Sequence, residues 1–230
     1  MQKPTAVVTG ASRGIGRATA LRLAADYEIV AVARSRDELD ELARDIGASG
    51  GVCHVRVADI TDPAAVHAAL DDVDAHVLVN NAGVGVIKPF VELTRDEWHS
   101  MVNLNFNALF DVTRAVLPGM MRRRSGHVIV IGSISGRSAF VGGTCYAATK
   151  AAVQGFTENL MLELREHGIK VSVVNPGSVA TDFAAFRSSD QSWKLAAEDV
   201  ANTVAAVLDT PPNVLLHRVE VRTLTVPKKK

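Results

Sequence analysis

The 230-residue chain carries 25 Lys+Arg against 25 Asp+Glu, with 47% hydrophobic and 22% charged residues. That balance can fill a globular core, and a formal net charge of zero offers no basic field to nucleic acid. The seven histidines lack ligand spacing, so no metal is expected; Cys53 and Cys145 lie far apart, which suits a reduced compartment better than a disulfide framework. MQKPTAVVTG has no signal-peptide pattern, and no apolar run approaches the ~20 residues that span a bilayer. A cytoplasmic chain without membrane association is expected, its closing KKK (228–230) a solvated tail.

Short β-branched runs alternate with longer helical patterns, which predicts βαβ units and a parallel sheet. The first strand, TAVVT (5–9), runs into TGASRGIG (9–16). Glycines at 10, 14 and 16 permit a tight turn and close approach of a pyrophosphate to the backbone. The helix predicted over 14–26 then aims its free N–H groups at that anion. Gly10, Ser12, Arg13, Gly14, Ile15 and Gly16 are the candidate contacts. The spacing is G-x-x-x-G-x-G, not the plain G-x-G-x-x-G.

The second strand, EIVAVA (28–33), ends at Ala33-Arg34-Ser35. An acidic residue there would hold the ribose 2′-hydroxyl of NAD, whereas an arginine suits the 2′-phosphate of NADP. Arg34, with Arg13 as a second cation, therefore predicts NADP(H). A helix over 35–46 should stop at Gly47. The third strand, 52–58, leads to Asp59, whose carboxylate is placed to accept from an adenine amino group. A helix over 62–72 follows, with Pro63 in its first turn. The fourth strand, 75–80, leads to Asn80-Asn81-Ala82-Gly83, small enough for cofactor to lie against the backbone at Asn81, Ala82 and Gly83. Thr94 caps one long predicted helix, 94–120.

The fifth strand, GHVIVIG (126–132), delivers Ser133 to a strand's carboxyl end, where open parallel sheets place ligands. Ser133 can orient a substrate carbonyl, with Ser135 as an alternative. The helix predicted over 145–167 opens on CYAATK (145–150), putting Tyr146 and Lys150 on one face at i and i+4. A phenol can protonate a developing alkoxide, and a nearby ammonium lowers its pKa from about 10. Gly168 ends that helix. A sixth strand (170–175), the stretch NPGSVAT (175–181), a helix over 196–209 and a seventh strand (214–221) complete the pattern. No linker or composition break divides the chain, so one doubly wound α/β domain over 1–230 is expected.

TGASRGIG (9–16), Asn81-Ala82-Gly83, Ser133, YAATK (146–150) and Asn175-Pro176-Gly177 occur in the order and approximate spacing of the short-chain dehydrogenase/reductase family. The chain resembles a single-domain member over essentially its whole length. The resemblance implies a Rossmann-type parallel sheet of about seven strands. It also implies an NADP(H)-dependent oxidoreductase interconverting a small-molecule ketone and a secondary alcohol. Tyr146 would be the general acid/base, Ser133 would position the carbonyl, and Lys150 would bind the nicotinamide ribose and tune Tyr146.

A fourth member is implied in the helix after the fourth strand. Asn105 lies seven residues after Trp98, the family's usual interval, with Asn103 and Asn107 as alternatives; it would hold a water relaying protons to Lys150. Pro176, Gly177, Val179 and Thr181 would line the nicotinamide. The family habit of pairing two long helices, here 94–120 and 145–167, implies a homodimer or homotetramer. Two departures stand out: only about a dozen residues, 182–192, precede the next helix, which suggests an open substrate side, and the C-terminal stretch lacks the family's glycine-ended segment. A non-catalytic NADP(H)-binding sensor or scaffold is the alternative from another class; the intact Ser133, Tyr146 and Lys150 argue against it. A nucleotide-sugar epimerase or dehydratase of the extended branch shares Y-x-x-x-K, but that branch adds a sizeable C-terminal substrate domain.

Overall fold

The computed structural model describes residues 3–181, 183 and 191–225. The elements are β1 (Thr5–Thr9), α1 (Gly14–Leu23), β2 (Glu28–Ala33), α2 (Arg36–Ala48), β3 (Cys53–Val57), α3 (Pro63–Leu70) and β4 (Val77–Asn80). They continue with α4 (Arg95–Val102), α5 (Ala108–Arg123), β5 (Gly126–Ile131), α6 (Thr144–Leu164), β6 (Ile169–Pro176), α7 (Ala197–Leu208) and β7 (Arg218–Val221). The strands form one seven-stranded sheet in the order β3-β2-β1-β4-β5-β6-β7, and every pairing is parallel. This is the expected doubly wound Rossmann-type fold. Strand order reverses between β1 and β4, the switch point where such sheets open a crevice at their carboxyl ends.

The strands read as continuous apolar runs because helices cover both faces of the sheet. Alternate residues sort to opposite sides. Val7, Val30, Leu78, Val128 and Val171 pack with Leu109, Val112 and Val116 of α5 and Val153 of α6. Ala6, Val8, Ile29, Val79, Ile129 and Val174 pack with Leu23 of α1, Leu39, Leu42 and Ile46 of α2, and Val200 and Val204 of α7. The edge strands β3 and β7 are half-exposed.

Local capping chemistry explains several boundaries. Asp62 caps α3 by accepting from Ala64 N at 2.9 Å, with Pro63 in the first turn. Thr94 and Glu97 form a reciprocal capping box at α4. Ser35 occupies the N-cap position of α2 without a side-chain cap bond. Gly168 ends the turn after α6 in the left-handed region, as expected.

Three expectations need correction. Gly47 does not stop α2, which runs through it to Ala48; the left-handed residue is Gly50, φ 79°. The last strand begins at Arg218, not 214. The single helix 94–120 is instead α4 and α5 joined by a π-helical stretch, Asn103–Asn107, and α5 continues past Pro118 to Arg123. Residues 184–190 and 228–230, on which the open substrate side and the solvated tail depend, lie outside the described residues. Among the described residues no helix is long and apolar enough to cross a membrane.

His127 of β5 is buried, hydrogen-bonded through Nε2 to Ser172 Oγ of β6 at 2.7 Å. Burial, aided by the charge of Lys170, pushes its pKa down from 6.5 to about 4. A histidine depressed in the fold binds its proton more readily once unfolded. Its contribution to stability is therefore complete above pH 6.5 and lost as pH falls toward about 4. The full loss is on the order of 3 kcal/mol. Denaturant unfolding over this range should show a pH slope that His127→Gln removes; an unchanged slope in the variant would assign it to other groups.

Candidate active site

A cleft of about 1350 Å³ opens along the carboxyl ends of the strands, and the expected motifs meet in it. At its centre the β1–α1 turn is built for close approach. Gly10 has φ 64°, and a Cβ there would stand 2.9 Å from Ala82 Cα. A Cβ on Gly16 would drive into the Gly10 carbonyl oxygen. The turn is pinned from the neighbouring strand. Asn81 Nδ2 donates to the carbonyls of Thr9 (2.9 Å) and Gly10 (3.3 Å), and the N–H groups of Asn81 and Ala82 donate to Thr9 Oγ1. Asn81 thus shapes the loop with its side chain and lines the cleft together with Ala82 and Gly83.

The start of α1 fits an anion. Arg13 at its N-cap makes no side-chain cap bond, and the first turn holds no acidic residue. The first N–H groups thus meet no competing carboxylate. Ser12, Arg13, Gly14 and Ile15 line the cleft here, and Gly14 lies against Thr181.

At the β2 end, Arg34 and Ser35 line the cleft together with Glu38 of α2. Arg34 Nη1 lies 3.8 Å from Asp59 Oδ2, with the two side chains 76% and 46% exposed. An exposed pair at that distance holds Arg34 weakly, so the guanidinium is free to meet a phosphate. Asp59 Oδ1 accepts from Thr61 N (3.0 Å) and Thr61 Oγ1 (2.7 Å). These bonds, more than Arg34, lower the Asp59 pKa. Its Oδ2 is the oxygen left for the adenine contact expected from the sequence. Ser35, named from the sequence only as the residue after Arg34, also lines this part of the cleft.

The reacting end lies between β5, α6 and β6. Ser133 follows β5 after Gly132, and its N–H donates to Asn175 Oδ1 at 3.1 Å. Gln154 Nε2 donates to the same oxygen at 2.6 Å. Asn175 and Gln154 thereby hold the Ser133 backbone. Gln154 escaped the sequence reading, yet it continues the i, i+4 series of Tyr146 and Lys150 on one helix face. Lys150 is buried and its Nζ donates to Ile131 O at 2.9 Å, tying α6 to the strand end beside Ser133. Burial alone pushes its pKa down to about 8.

Tyr146 and Ser133 line the same cleft. The Tyr146 pKa departs from expectation in direction: burial raises the phenol, and the neighbouring Ser133 draws it only part of the way back. Lys150 Nζ stands 6.0 Å from the Tyr146 ring centroid and spends its bond on Ile131. Desolvation therefore outweighs the ammonium.

Asn105 lies buried in the π-helical stretch, a distortion that frequently marks functional positions. Its Oδ1 accepts from Val84 N at 2.8 Å, and its Nδ2 donates to Val84 O (2.9 Å) and Thr149 Oγ1 (3.1 Å). The side chain is thus a brace between the loop after β4 and α6. Asn103 and Asn107 instead bond each other. A cavity of about 10 Å³, lined by Asn105 and Lys150 among others, has room for one water. Pro176, Gly177, Val179 and Thr181 line the cleft after β6, and Val179 is held by a bridge to Leu195. Ser135 also lines it, but its N–H serves Ser133 Oγ at 3.1 Å. Cys145 is buried beneath the site in a small cluster with Met101 and Trp98.

The short chain dehydrogenase family model matches residues 4–192. The 3-oxoacyl-[acyl-carrier-protein] reductase of Escherichia coli K12 is 35% identical over 216 residues, 87% of this chain and 87% of that protein. Sulfoacetaldehyde reductase 2 of Chromohalobacter salexigens is 35% identical over 233 residues, 94% of this chain and 92% of its own. The alcohol dehydrogenase of the archaeon Thermococcus sibiricus, solved with 5-hydroxy-NADP, superposes with a TM-score of 0.91 at 27% identity, covering 99% of this chain and 100% of that one. A family model matching most of the chain, and relatives 35% identical over most of both lengths, show that the chain belongs to the short-chain dehydrogenase family.

Proposed function

We propose that the chain is an NADP(H)-dependent oxidoreductase that interconverts a ketone and a secondary alcohol, with cofactor groove and reacting groups in one domain spanning 1–230. The observation that carries this reading is the meeting of Ser133, Tyr146 and the buried Lys150 in one cleft with Arg34 and the glycine turn. The α1 N-terminus and the turn from Gly10 to Gly16 hold the pyrophosphate, with Asn81, Ala82 and Gly83 along the same groove. Arg34, supported by Arg13 and Ser35, takes the 2′-phosphate. Asp59 meets the adenine, and Pro176, Gly177, Val179 and Thr181 flank the nicotinamide. When bound, that ring gives or accepts the hydride.

The protein's own part is the proton. A phenol held protonated by burial is a donor near neutrality, so Tyr146 protonates the carbonyl oxygen as negative charge develops there. Ser133 Oγ hydrogen-bonds the same oxygen and fixes the carbonyl's orientation. Lys150 holds the ribose and, through the water-sized cavity beside Asn105, draws on a proton route to Tyr146. Alcohol oxidation needs the phenolate and is favoured as pH rises; ketone reduction is favoured as it falls. Assembly into a homo-oligomer is part of the same reading, supported by the exposed Phe110 of α5 and Leu162 of α6.

Supplied with NADPH and a panel of ketones, aldehydes and β-ketoacyl thioesters, the purified protein is expected to consume NADPH faster than NADH, followed by nicotinamide absorbance. No turnover across the panel would overturn the reading.

A further inference from the structure

We propose that Phe183 is the specificity-determining residue of the substrate side, limiting the size of the apolar substituent on the reacting carbonyl. The inference rests on the carbonyl-reductase reading above. Phe183 lies two residues beyond Thr181, and its ring sits against the catalytic tyrosine: the Tyr146 and Phe183 centroids are 5.6 Å apart at an interplanar angle of 59°. Tilted contacts of this kind are favourable for aromatic pairs.

The slot that receives the Phe183 ring depends on the missing side chain of Gly85. A Cβ on Gly85 would stand 2.9 Å from Phe183 Cε1 and 3.5 Å from Tyr146 Cδ2, and one on Gly83 would stand 3.8 Å from Phe183 Cε2. No other amino acid at Gly85 leaves the ring where it is. Gly83, Gly85, Tyr146 and Phe183 are therefore one packed unit, and its outer member is still 40% exposed to the cleft.

Beyond it the wall remains apolar, with Ile87, Phe140 and Val141 lining the same cleft. Phe140 and Val141 are 42% and 96% exposed. Their loop is joined to the β4 side by a bond from Lys88 N to Gly142 O at 3.1 Å. A carbonyl bound at Tyr146 and Ser133 places its substituents against these surfaces. The chemistry suits a ketone with an uncharged hydrocarbon arm, and the Phe183 ring occupies volume that a bulkier arm would need.

The test is a series of methyl ketones whose second substituent grows from methyl through branched alkyl to phenyl, with NADPH saturating. In Phe183→Ala the ratio of kcat/KM for the bulkiest to the smallest ketone should rise about tenfold or more, the discrimination typical of apolar pockets. The change should sit mainly in KM for the bulky ketone, with NADPH affinity retained. Phe183→Leu, which keeps apolar bulk, should stay near the wild-type ratio. Gly85→Ala, which pushes the ring from its slot, should move the ratio in the direction of Phe183→Ala. Wild-type turnover with ratios unmoved in both Phe183→Ala and Gly85→Ala would overturn the role of Phe183 alone. Absence of wild-type turnover on every carbonyl would overturn the functional reading and this inference with it.

Discussion

Tyr146→Phe is expected to lower kcat for ketone reduction by about 10²–10⁴-fold, the usual worth of a positioned proton donor, while NADPH binding stays intact. The substitution removes one hydroxyl and keeps the ring, so the tilted contact with Phe183 and the packing on Met101 and Cys145 survive. What is lost is the hydroxyl beside Ser133, and with it the proton itself. The sign of the Tyr146 shift matters here. Because burial raises the phenol, the donor form is fully populated at neutral pH, and reduction should hold constant through neutrality before failing in base. Steady-state rates across pH, with NADPH affinity by fluorescence titration, test both halves. Full turnover by the variant on a substrate of the wild-type protein would remove Tyr146 as the acid.

Arg34→Asp is expected to invert cofactor preference. In the wild-type protein NADPH should bind more tightly than NADH, since each charge-assisted bond from a guanidinium to the 2′-phosphate contributes about 1.5–3 kcal/mol, or roughly 10–100-fold in Kd. The aspartate reverses the sign of the charge facing that phosphate and supplies an acceptor for the 2′-hydroxyl of NADH. Little stability is at stake, because Arg34 is largely exposed and its contact with Asp59 is a loose 3.8 Å. Glu38 lines the same part of the cleft, where a carboxylate would oppose the phosphate, which makes Arg34 the more necessary. Fluorescence titration of the wild-type protein and Arg34→Asp with both cofactors decides it; equal affinities in the wild-type protein would remove the argument from Arg34.

Much of this was legible in the chain because it depends on local periodicity and fixed spacing. Unbroken apolar strands alternating with helices specify a parallel sheet covered on both faces, whatever the tertiary details. The glycine turn from Gly10 to Gly16 is a backbone requirement written in three residues, and the pairing of Tyr146 with Lys150 follows from helix geometry alone. Arg34 at the end of β2 needs only its strand to be correctly placed.

Tertiary structure decided the features that come from bringing distant segments together and excluding water. Asn105 is singled out by its interval from Trp98, yet the π-helical stretch that carries it and its brace between Val84 and Thr149 span separate elements. Gln154 and Asn175 hold Ser133 only because β5, β6 and α6 converge. Phe183 reaches Tyr146 only through a slot left by Gly85. The direction of the Tyr146 pKa is the clearest case. Sequence spacing places an ammonium one helical turn away and argues for a lowered value, but how far each group is buried is a property of the folded whole. In a dry site the desolvation of the phenolate outweighs a lysine whose hydrogen bond is already given to Ile131.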